Sequence, residues 1–173
     1  MKGIILAAGR GSRMASLSDE RPKCLLEVGG EPLIDRQIKA LREGGIEDIG
    51  IATGYRRESL TNRGLVEFYN PRWSKTNMVF SLSQAKDWLC SSPCVISYSD
   101  IFYSSEAVVS LMKSSAKLAI TYDPNWLSLW QKRFGNPLED AETFRLNSCF
   151  ILQEIGGKAK AIEDIQGQYM GLI

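Results

Sequence analysis

The stretch that decides the fold is KGIILAAGRGSRM, residues 2–14, which is followed by Arg21-Pro22-Lys23. Residues 2–7 are mostly apolar, as is typical of a strand buried on both faces of a parallel sheet. Residues 9–13 then bring together two glycines and two arginines. Glycine lets backbone N–H groups approach an anion closely, and cationic side chains neutralise its charge. The stretch therefore predicts a strand that leads into a polyphosphate-binding loop.

The overall composition limits the classes of protein to consider. The 173 residues suffice for about one domain, and the net charge of +1 gives no field that would attract nucleic acid or an anionic membrane. No apolar run approaches the ~18 residues that span a bilayer. The apolar start is also too short for a signal peptide, so we expect a cytoplasmic protein.

Histidine is absent from the chain and cysteine occurs four times. Without histidine there can be no Ser-His-Asp or Cys-His nucleophile and no histidine-ligated metal. The close pair Cys90 and Cys94 lacks the second ligand pair of a structural zinc site. We therefore expect all four cysteines to be reduced; they are Cys24, Cys90, Cys94 and Cys149.

Apolar runs alternate with amphipathic segments along most of the chain, which favours a mostly parallel sheet flanked by helices. We expect an α/β, Rossmann-like fold in which residues 1–173 form a single domain with a small β-containing insertion. The predicted strands cover 2–7, 46–53, 65–69, 94–98 and 117–122; the predicted helices cover 33–44, 56–62, 77–89, 104–113 and a turn at 126–130; and the predicted hairpin pairs 142–146 with 149–155.

Gly9, Gly54 and Asp100 all lie at the carboxyl ends of predicted strands. In parallel sheets ligands bind outside the carboxyl ends of the strands, so we expect these positions to line one site. A carboxylate at Asp100 could hold Mg²⁺ against phosphate oxygens. The alternative is that Asp100 is a turn residue or caps the helix at 104–113.

The cations near the glycines favour phosphate chemistry over a plain turn, which is the alternative for this loop. Arg13 offers a planar fork for two phosphate oxygens, and Lys23 offers a compact charge behind a proline that restricts its backbone. A solvated surface lysine is the alternative for Lys23. The loop lacks the Gly-Lys-Ser/Thr ending of a Walker motif, and Met14 replaces the third glycine of a dinucleotide fingerprint, which excludes a Rossmann dehydrogenase.

Residues 6–14 together with Pro22-Lys23 resemble the signature of the nucleotidyltransferase family that contains the sugar-phosphate and choline-phosphate enzymes. Ser99-Asp100-Ile101 resembles the segment in which that family keeps its magnesium-binding aspartate. The later half resembles the choline-phosphate and 2-aminoethylphosphonate cytidylyltransferases. The residues concerned are Tyr122–Trp126, Trp130, Asn136–Leu138, Asp140–Glu142 and Gln168–Gly171.

This resemblance implies that the chain transfers a CMP group from CTP to a small phosphate or phosphonate such as phosphocholine or 2-aminoethylphosphonate. Arg13 and Lys23 would stabilise charge at the α-phosphorus, Asp100 would ligate Mg²⁺, and pyrophosphate would leave. The acceptor is already an anionic nucleophile, so no general base is needed, which agrees with the absence of histidine.

The resemblance also implies two sets of binding residues. Nucleotide-binding residues would be Leu6, Ala7, Ala8, Gly9, Gly11 and Ser12 around the triphosphate, and Gly54, Tyr55, Asn77 and Ser81 around the base. Acceptor-binding residues would be Trp126, Trp130, Asp140, Glu142 and Tyr169, because aromatic rings and carboxylates suit a cationic ammonium group. The alternatives are a helix N-cap for Asn77, core positions for the two tryptophans, and a solvated strand edge for the two acids.

Two other functions stay open at this point. One keeps the reaction but takes a sugar 1-phosphate as acceptor. The other is a nucleotide-binding domain without catalysis, because family members usually run longer and supply a second metal-binding carboxylate near the carboxyl end. Glu163 and Asp164 are the nearest acids to that position. We expect no nucleic-acid or membrane partner, and a homodimer stays open.

Overall fold

The computed structural model describes residues 1–11 and 21–173, which divide into two compact units. The first unit comprises Met1–Ala119 and Gly171–Ile173, and the second comprises Ile120–Met170. The first unit contains β1 (Lys2–Ala7), β2 (Glu27–Val28), β3 (Glu31–Pro32), α1 (Leu33–Glu43), β4 (Ile49–Thr53), β5 (Val66–Tyr69), α2 (Met78–Ser83), α3 (Lys86–Ser91), β6 (Cys94–Tyr98) and α4 (Ser105–Met112).

Strand β1 lies inside a four-stranded sheet with the order β5-β4-β1-β6, and all three pairings are parallel. Ile4 and Ile5 are fully buried, as expected for a strand covered on both faces. Residues 171–173 add an antiparallel edge to β6, with the Ile173 N–H donating to the Ile96 carbonyl at 2.9 Å. The expected mostly parallel sheet flanked by helices is confirmed.

Helix α1 covers this sheet with the side that its sequence predicts. Leu33, Ile34, Ile38 and Leu41 are buried at the helical spacing of three and four residues. The helix ends at Gly44, where an added Cβ would lie 2.7 Å from Val108 of α4. The missing side chain thus allows α1 and α4 to pack closely.

Two predicted elements were wrong. The helix expected at 77–89 is two short helices, α2 and α3, and the apolar side chains of Met78 and Leu89 are exposed. The strand expected at 117–122 forms only at its last residue; Leu118 is 75% exposed and residues 117–121 belong to no strand within the described ranges. A β-prone run forms a strand only where a partner can take its backbone hydrogen bonds.

The second unit contains β7 (Tyr122–Asp123), α5 (Trp126–Arg133), β8 (Glu142–Leu146), β9 (Leu152–Lys158) and β10 (Gln168–Tyr169). Strands β8 and β9 form the expected hairpin, although β9 starts at Leu152 because Asn147 folds residues 147–151 into the turn. Strand β7 pairs with β10. Trp126, Phe144 and Ile165 pack in the core of this unit.

None of the helices within residues 1–11 and 21–173 has the length and apolar character required to cross a membrane.

Candidate functional site

The carboxyl ends of three adjacent strands bring Gly9, Gly54 and Asp100 to one edge of the sheet. Gly9 follows β1, Gly54 follows β4, and Asp100 lies two residues after β6. Since β1 lies between β4 and β6 and all run in parallel, the three loops leave the sheet on the same side. This is the position at which open α/β sheets bind ligands.

The loops after β1 and β4 are joined through their backbones. The Tyr55 N–H donates to the Ala8 carbonyl at 3.0 Å. A Cβ at Gly54 would lie 2.6 Å from the Ala8 oxygen and 2.5 Å from the Cβ of Trp73, so a side chain cannot be placed there. The Tyr55 ring packs edge-on against Trp73 with centroids 5.3 Å apart. The two loops therefore form one backbone surface.

The first loop is electropositive in its described part. Arg10 lies with its guanidinium carbon 5.9 Å from the Tyr55 ring centroid, and Arg56 approaches the same ring at 5.7 Å. Leu6 lies in β1, and Ala7 and Ala8 are buried, so these residues can offer a ligand only backbone groups. Two residues expected in the site, Ser12 and Arg13, lie outside the described residues.

Lys23 lies beside the glycine loop and contacts Asp100. A Cβ at Gly11, whose φ is +71°, would lie 3.3 Å from the Cβ of Lys23. The Lys23 Nζ donates to the Asp100 Oδ2 at 2.7 Å. The two side chains are 30% and 36% exposed, so a ligand can reach both. The structure therefore brings together the lysine and the aspartate that the sequence singled out.

The turn that carries Lys23 is fixed by a buried neighbour and by two backbone hydrogen bonds. Cys24 is 1% exposed in the core, and burial raises the pKa of its thiol to about 12. The Leu25 N–H donates to the Pro22 carbonyl and the Leu26 N–H to the Lys23 carbonyl, which closes a short 3₁₀ turn. With Cys24 held inward and Pro22 restricting the backbone, Lys23 is directed toward the site.

The alternatives for Lys23 and Asp100 can now be judged. The N-cap of α4 is Ser104, so the idea that Asp100 caps this helix is wrong. Lys23 makes an ion pair and so is more than a solvated surface lysine. Within the described residues no three acidic or cysteine side chains group closely enough to hold a metal. A single carboxylate beside the glycine loop is compatible with Mg²⁺, which usually keeps several waters and takes its other ligands from substrate phosphates.

Asn70 connects the two segments that we expected to bind the base, the loop after β4 and the start of α2. The sequence analysis did not identify this residue. It is fully buried, and its side-chain nitrogen donates to the hydroxyls of Thr76 at 2.9 Å and Ser81 at 3.0 Å. Its Oδ1 accepts from the Arg72 N–H, and its own N–H donates to the Thr53 carbonyl. The sequence does place Asn70-Pro71 directly after the predicted strand 65–69, but such a pair by itself indicates only that a strand ends there.

Ser81 and Asn77 both make structural hydrogen bonds. The Ser81 side chain is buried against Asn70. The Asn77 Oδ1 accepts from the Phe80 N–H at 3.0 Å, so the N-cap alternative for Asn77 is confirmed. Their contact with a nucleotide stays a prediction.

A second missed group supports the loop after β4. Glu67 of β5 accepts from the Thr53 hydroxyl at 2.5 Å and from the Arg57 guanidinium at 2.6 Å. Arg57 also lies 4.1 Å above the Tyr69 ring. These contacts hold both ends of residues 54–56, which include Tyr55.

The residues expected to bind an acceptor lie in the second unit. Trp126 is 3% exposed and meets Trp130 edge-on with centroids 5.9 Å apart, which favours the core alternative for Trp126. Asp140 and Glu142 are exposed, and Tyr169 pairs with Tyr122. Their binding of an acceptor stays a prediction.

Comparison with known proteins identifies a family and several relatives of this chain. Residues 3–165 match the family model of the MobA-like NTP transferase domain. A CTP:phosphoglutamine cytidylyltransferase of Campylobacter jejuni is 41% identical over 99% of this chain and 72% of that protein. A choline-phosphate cytidylyltransferase of Streptococcus pneumoniae is 38% identical, over 53% of this chain and 42% of that protein.

A solved structure of CTP:phosphocholine cytidylyltransferase from Streptococcus pneumoniae superposes with a TM-score of 0.65 at 24% identity, covering 99% of this chain and 68% of that one. This likeness confirms the Rossmann-like fold. The match to the family model and the two relatives confirms the expected resemblance. The chain therefore belongs to the family of MobA-like NTP transferase domains.

Proposed function

We propose that the chain transfers the CMP group of CTP to a small phosphate or phosphonate, with Mg²⁺ as cofactor and pyrophosphate as the second product. The observation that carries the proposal is the Lys23–Asp100 pair, with Nζ and Oδ2 2.7 Å apart beside the glycine loop. A cation and a carboxylate held together at this edge of the sheet can supply charge stabilisation and a ligand for Mg²⁺, on which a reaction driven by positioning and electrostatics depends.

Each group has a distinct part in the reaction. Backbone N–H groups of residues 9–11 bind the triphosphate, and Lys23 stabilises the charge that develops at the α-phosphate, together with Arg13. Asp100 would hold Mg²⁺, and the ion would supply neutralisation of phosphate oxygens. An acceptor oxygen forms a bond to the α-phosphorus while the bond to the bridging oxygen breaks, and pyrophosphate carries that electron pair away.

The choice of CTP is supported by the names of both relatives reported above, each a cytidylyltransferase. In this proposal the Gly54 backbone and the Tyr55 carbonyl face the edge of the base, because the Tyr55 N–H is already bound to Ala8, and Asn77 and Ser81 complete the subsite. Tyr55 is well placed for this because its N–H bond to Ala8 fixes it beside the phosphate loop.

The acceptor is proposed to be a small phosphorylated compound with a polar or cationic group. Phosphoglutamine and phosphocholine are the acceptors named for the two relatives. In the second unit the exposed carboxylates of Asp140 and Glu142, with the rings of Trp130 and Tyr169, would bind it. An Asp140→Asn variant should then raise KM for a cationic acceptor and leave KM for CTP unchanged.

The test is pyrophosphate release by the full chain with Mg²⁺, using CTP, UTP, GTP and ATP against four acceptors. These are phosphoglutamine, phosphocholine, 2-aminoethylphosphonate and glucose 1-phosphate. We expect turnover with CTP and at least one of the first three, and none in an Asp100→Asn control. If only glucose 1-phosphate is turned over, the acceptor is a sugar 1-phosphate and the proposed acceptor class is wrong. If CTP binds tightly but no pyrophosphate is released, the chain is a nucleotide-binding domain without catalysis.

A further inference from the structure

The middle of helix α1 carries a polar residue on its buried face. Gln37 is 0% exposed, although its buried neighbours Ile34, Ile38 and Leu41 are all aliphatic. Its Oε1 has no hydrogen-bond partner among the described residues. An uncompensated buried amide oxygen destabilises the folded state, so an aliphatic side chain would suit packing better. The amide nitrogen of Gln37 must therefore supply something that an aliphatic residue could not.

That nitrogen donates two hydrogen bonds to the turn after β6. The first goes to the Tyr98 carbonyl at 2.9 Å, and the second goes to the Ile101 carbonyl. These two carbonyls flank Ser99-Asp100 on either side. One buried NH₂ group thus fixes both ends of the turn that presents the Asp100 carboxylate.

Helix α1 also supports the partner of Asp100. The Leu33 N–H, at the first residue of the helix, donates to the Leu26 carbonyl at 3.0 Å, and Leu26 closes the turn of Lys23. Both members of the Lys23–Asp100 pair are therefore connected to one helix, Lys23 through its first residue and Asp100 through Gln37. A side-chain hydrogen bond that fixes a ligand-bearing turn preserves the geometry of a site on a rigid element.

We propose that Gln37 is a positioning residue that sets the Asp100 carboxylate for the metal-bound nucleotide. The inference rests on the proposed function, in which Asp100 is the residue that binds Mg²⁺. Gln37 touches neither nucleotide nor metal in this proposal. It acts only through the backbone of residues 98–101.

The test compares CTP binding with and without Mg²⁺ in Gln37→Leu, which keeps the buried volume but removes both donors. Calorimetry is run on the full chain, once with Mg²⁺ and once with EDTA. We expect the variant to lose about tenfold or more in affinity for CTP with Mg²⁺, as is typical when support for a metal ligand is removed. Affinity for CTP in EDTA should stay within twofold of the wild type.

Ile38→Val is the matched control, because Ile38 is the next residue of α1 and is buried but makes no side-chain hydrogen bond. It should alter neither affinity. If Gln37→Leu fails to fold, the unbranched Gln37→Met variant is used in its place. A second readout is the Mg²⁺ concentration for half-maximal turnover, which should rise in the Gln37 variant while kcat at saturating Mg²⁺ largely recovers.

Equal losses with Mg²⁺ and with EDTA would overturn the inference, as would unchanged binding in both. The proposed function fails in a distinguishable way, since a wild-type chain that binds CTP equally with and without Mg²⁺ would remove the metal role of Asp100 itself. Wild-type metal dependence with an unaffected Gln37→Leu variant would refute only the positioning role.

Discussion

Lys23 and Asp100 lie 77 residues apart in the chain, yet Nζ and Oδ2 are 2.7 Å apart at the edge of the sheet. Both side chains are partly exposed, and exposed ion pairs contribute only about 0.2–1 kcal/mol to stability. The pair therefore adds little to the fold. Its significance is that a ligand arriving at this edge finds one positive and one negative group at the same point.

Lys23→Ala is expected to lower kcat for pyrophosphate release by about tenfold or more, because charge stabilisation in the transition state is lost. The free energy of unfolding should change by less than about 1 kcal/mol. Both are measured on the full chain by a pyrophosphate assay and by urea denaturation. Lys39→Ala is the control, since Lys39 is also on the surface and pairs with Glu43. Equal kinetics in the two variants would remove Lys23 from the reaction.

Gly54→Ala is expected to destabilise the first unit by about 1–3 kcal/mol, because the new methyl group overlaps Trp73 and the Ala8 carbonyl. Urea denaturation measures the loss. Gly135→Ala serves as the control, as a Cβ there meets nothing within 4 Å. A Gly54→Ala protein as stable as Gly135→Ala would show that the two loops are not in direct contact.

Asn70→Asp is expected to cost about 2–4 kcal/mol, because it removes the two donors to Thr76 and Ser81 but keeps the acceptor for Arg72. Asn77→Ala should cost less stability, because it loses a helix cap worth about 1 kcal/mol. CTP affinity should fall in both variants, since Asn70 holds Ser81 and Asn77 belongs to the proposed base subsite. Denaturation and calorimetry on both variants give the comparison, and unchanged CTP affinity in Asn77→Ala would remove Asn77 from the subsite.

Stability is expected to fall as the pH rises above about 9. Burial raises the pKa of Cys24 from 9.0 to about 12 and that of Tyr103 from 10.0 to about 12. As the pH rises, the unfolded chain releases these protons before the native chain does, so the native state binds more protons. Each of the two groups then lowers the free energy of unfolding by about 1.4 kcal/mol for every pH unit. Thermal melts between pH 8 and 11 measure this slope.

Replacing one of the two groups should reduce the alkaline slope. Cys24→Ala removes one titrating group, so its melting temperature should fall less steeply between pH 8 and 11 than that of the wild type, whatever its stability at pH 8.

Thiol labelling of the native protein at pH 8 should be fast at Cys90 and Cys149, which are exposed, and slow at Cys24. Fast labelling of Cys24 would contradict its burial.

Trp126→Ala is expected to destabilise the second unit by about 3–5 kcal/mol, because it removes a large side chain from the core. Leu129→Ala is the control on the same helix, where Leu129 is 43% exposed. If Trp126 served an acceptor instead of the core, its loss would raise KM and leave the denaturation midpoint unchanged. Urea denaturation and acceptor titration separate these outcomes.

The elements that support the site follow from local patterns in the sequence. Strand β1 is an apolar run and α1 has buried residues at helical spacing, and both signals lie within a few residues. The meeting of Gly9, Gly54 and Asp100 followed from a general rule for parallel strands. What each of these residues binds stays a prediction.

The contacts that hold the site in place could not be predicted in this way. The Gln37 amide binds carbonyls 61 and 64 residues away, so neither neighbours nor periodicity indicate its partners. The Asn70 amide binds the Ser81 hydroxyl eleven residues further along the chain, in a different element, so no local pattern indicates this contact either. The break between α2 and α3 is marked by neither glycine nor proline, and the continuous apolar spacing therefore favoured one long helix.

The hydrogen bond from Tyr55 to Ala8 also has a consequence for changing nucleotide preference. Since position 54 has no space for a side chain, it cannot contribute chemical variety to the base subsite. Variation must come from the adjacent side chains of Tyr55 and Arg56, because Arg57 is bound to Glu67 and supports the loop. A mutant library intended to exchange the proposed cytosine for another base should therefore randomise residues 55 and 56, keep residue 54 as glycine and leave residue 57 unchanged.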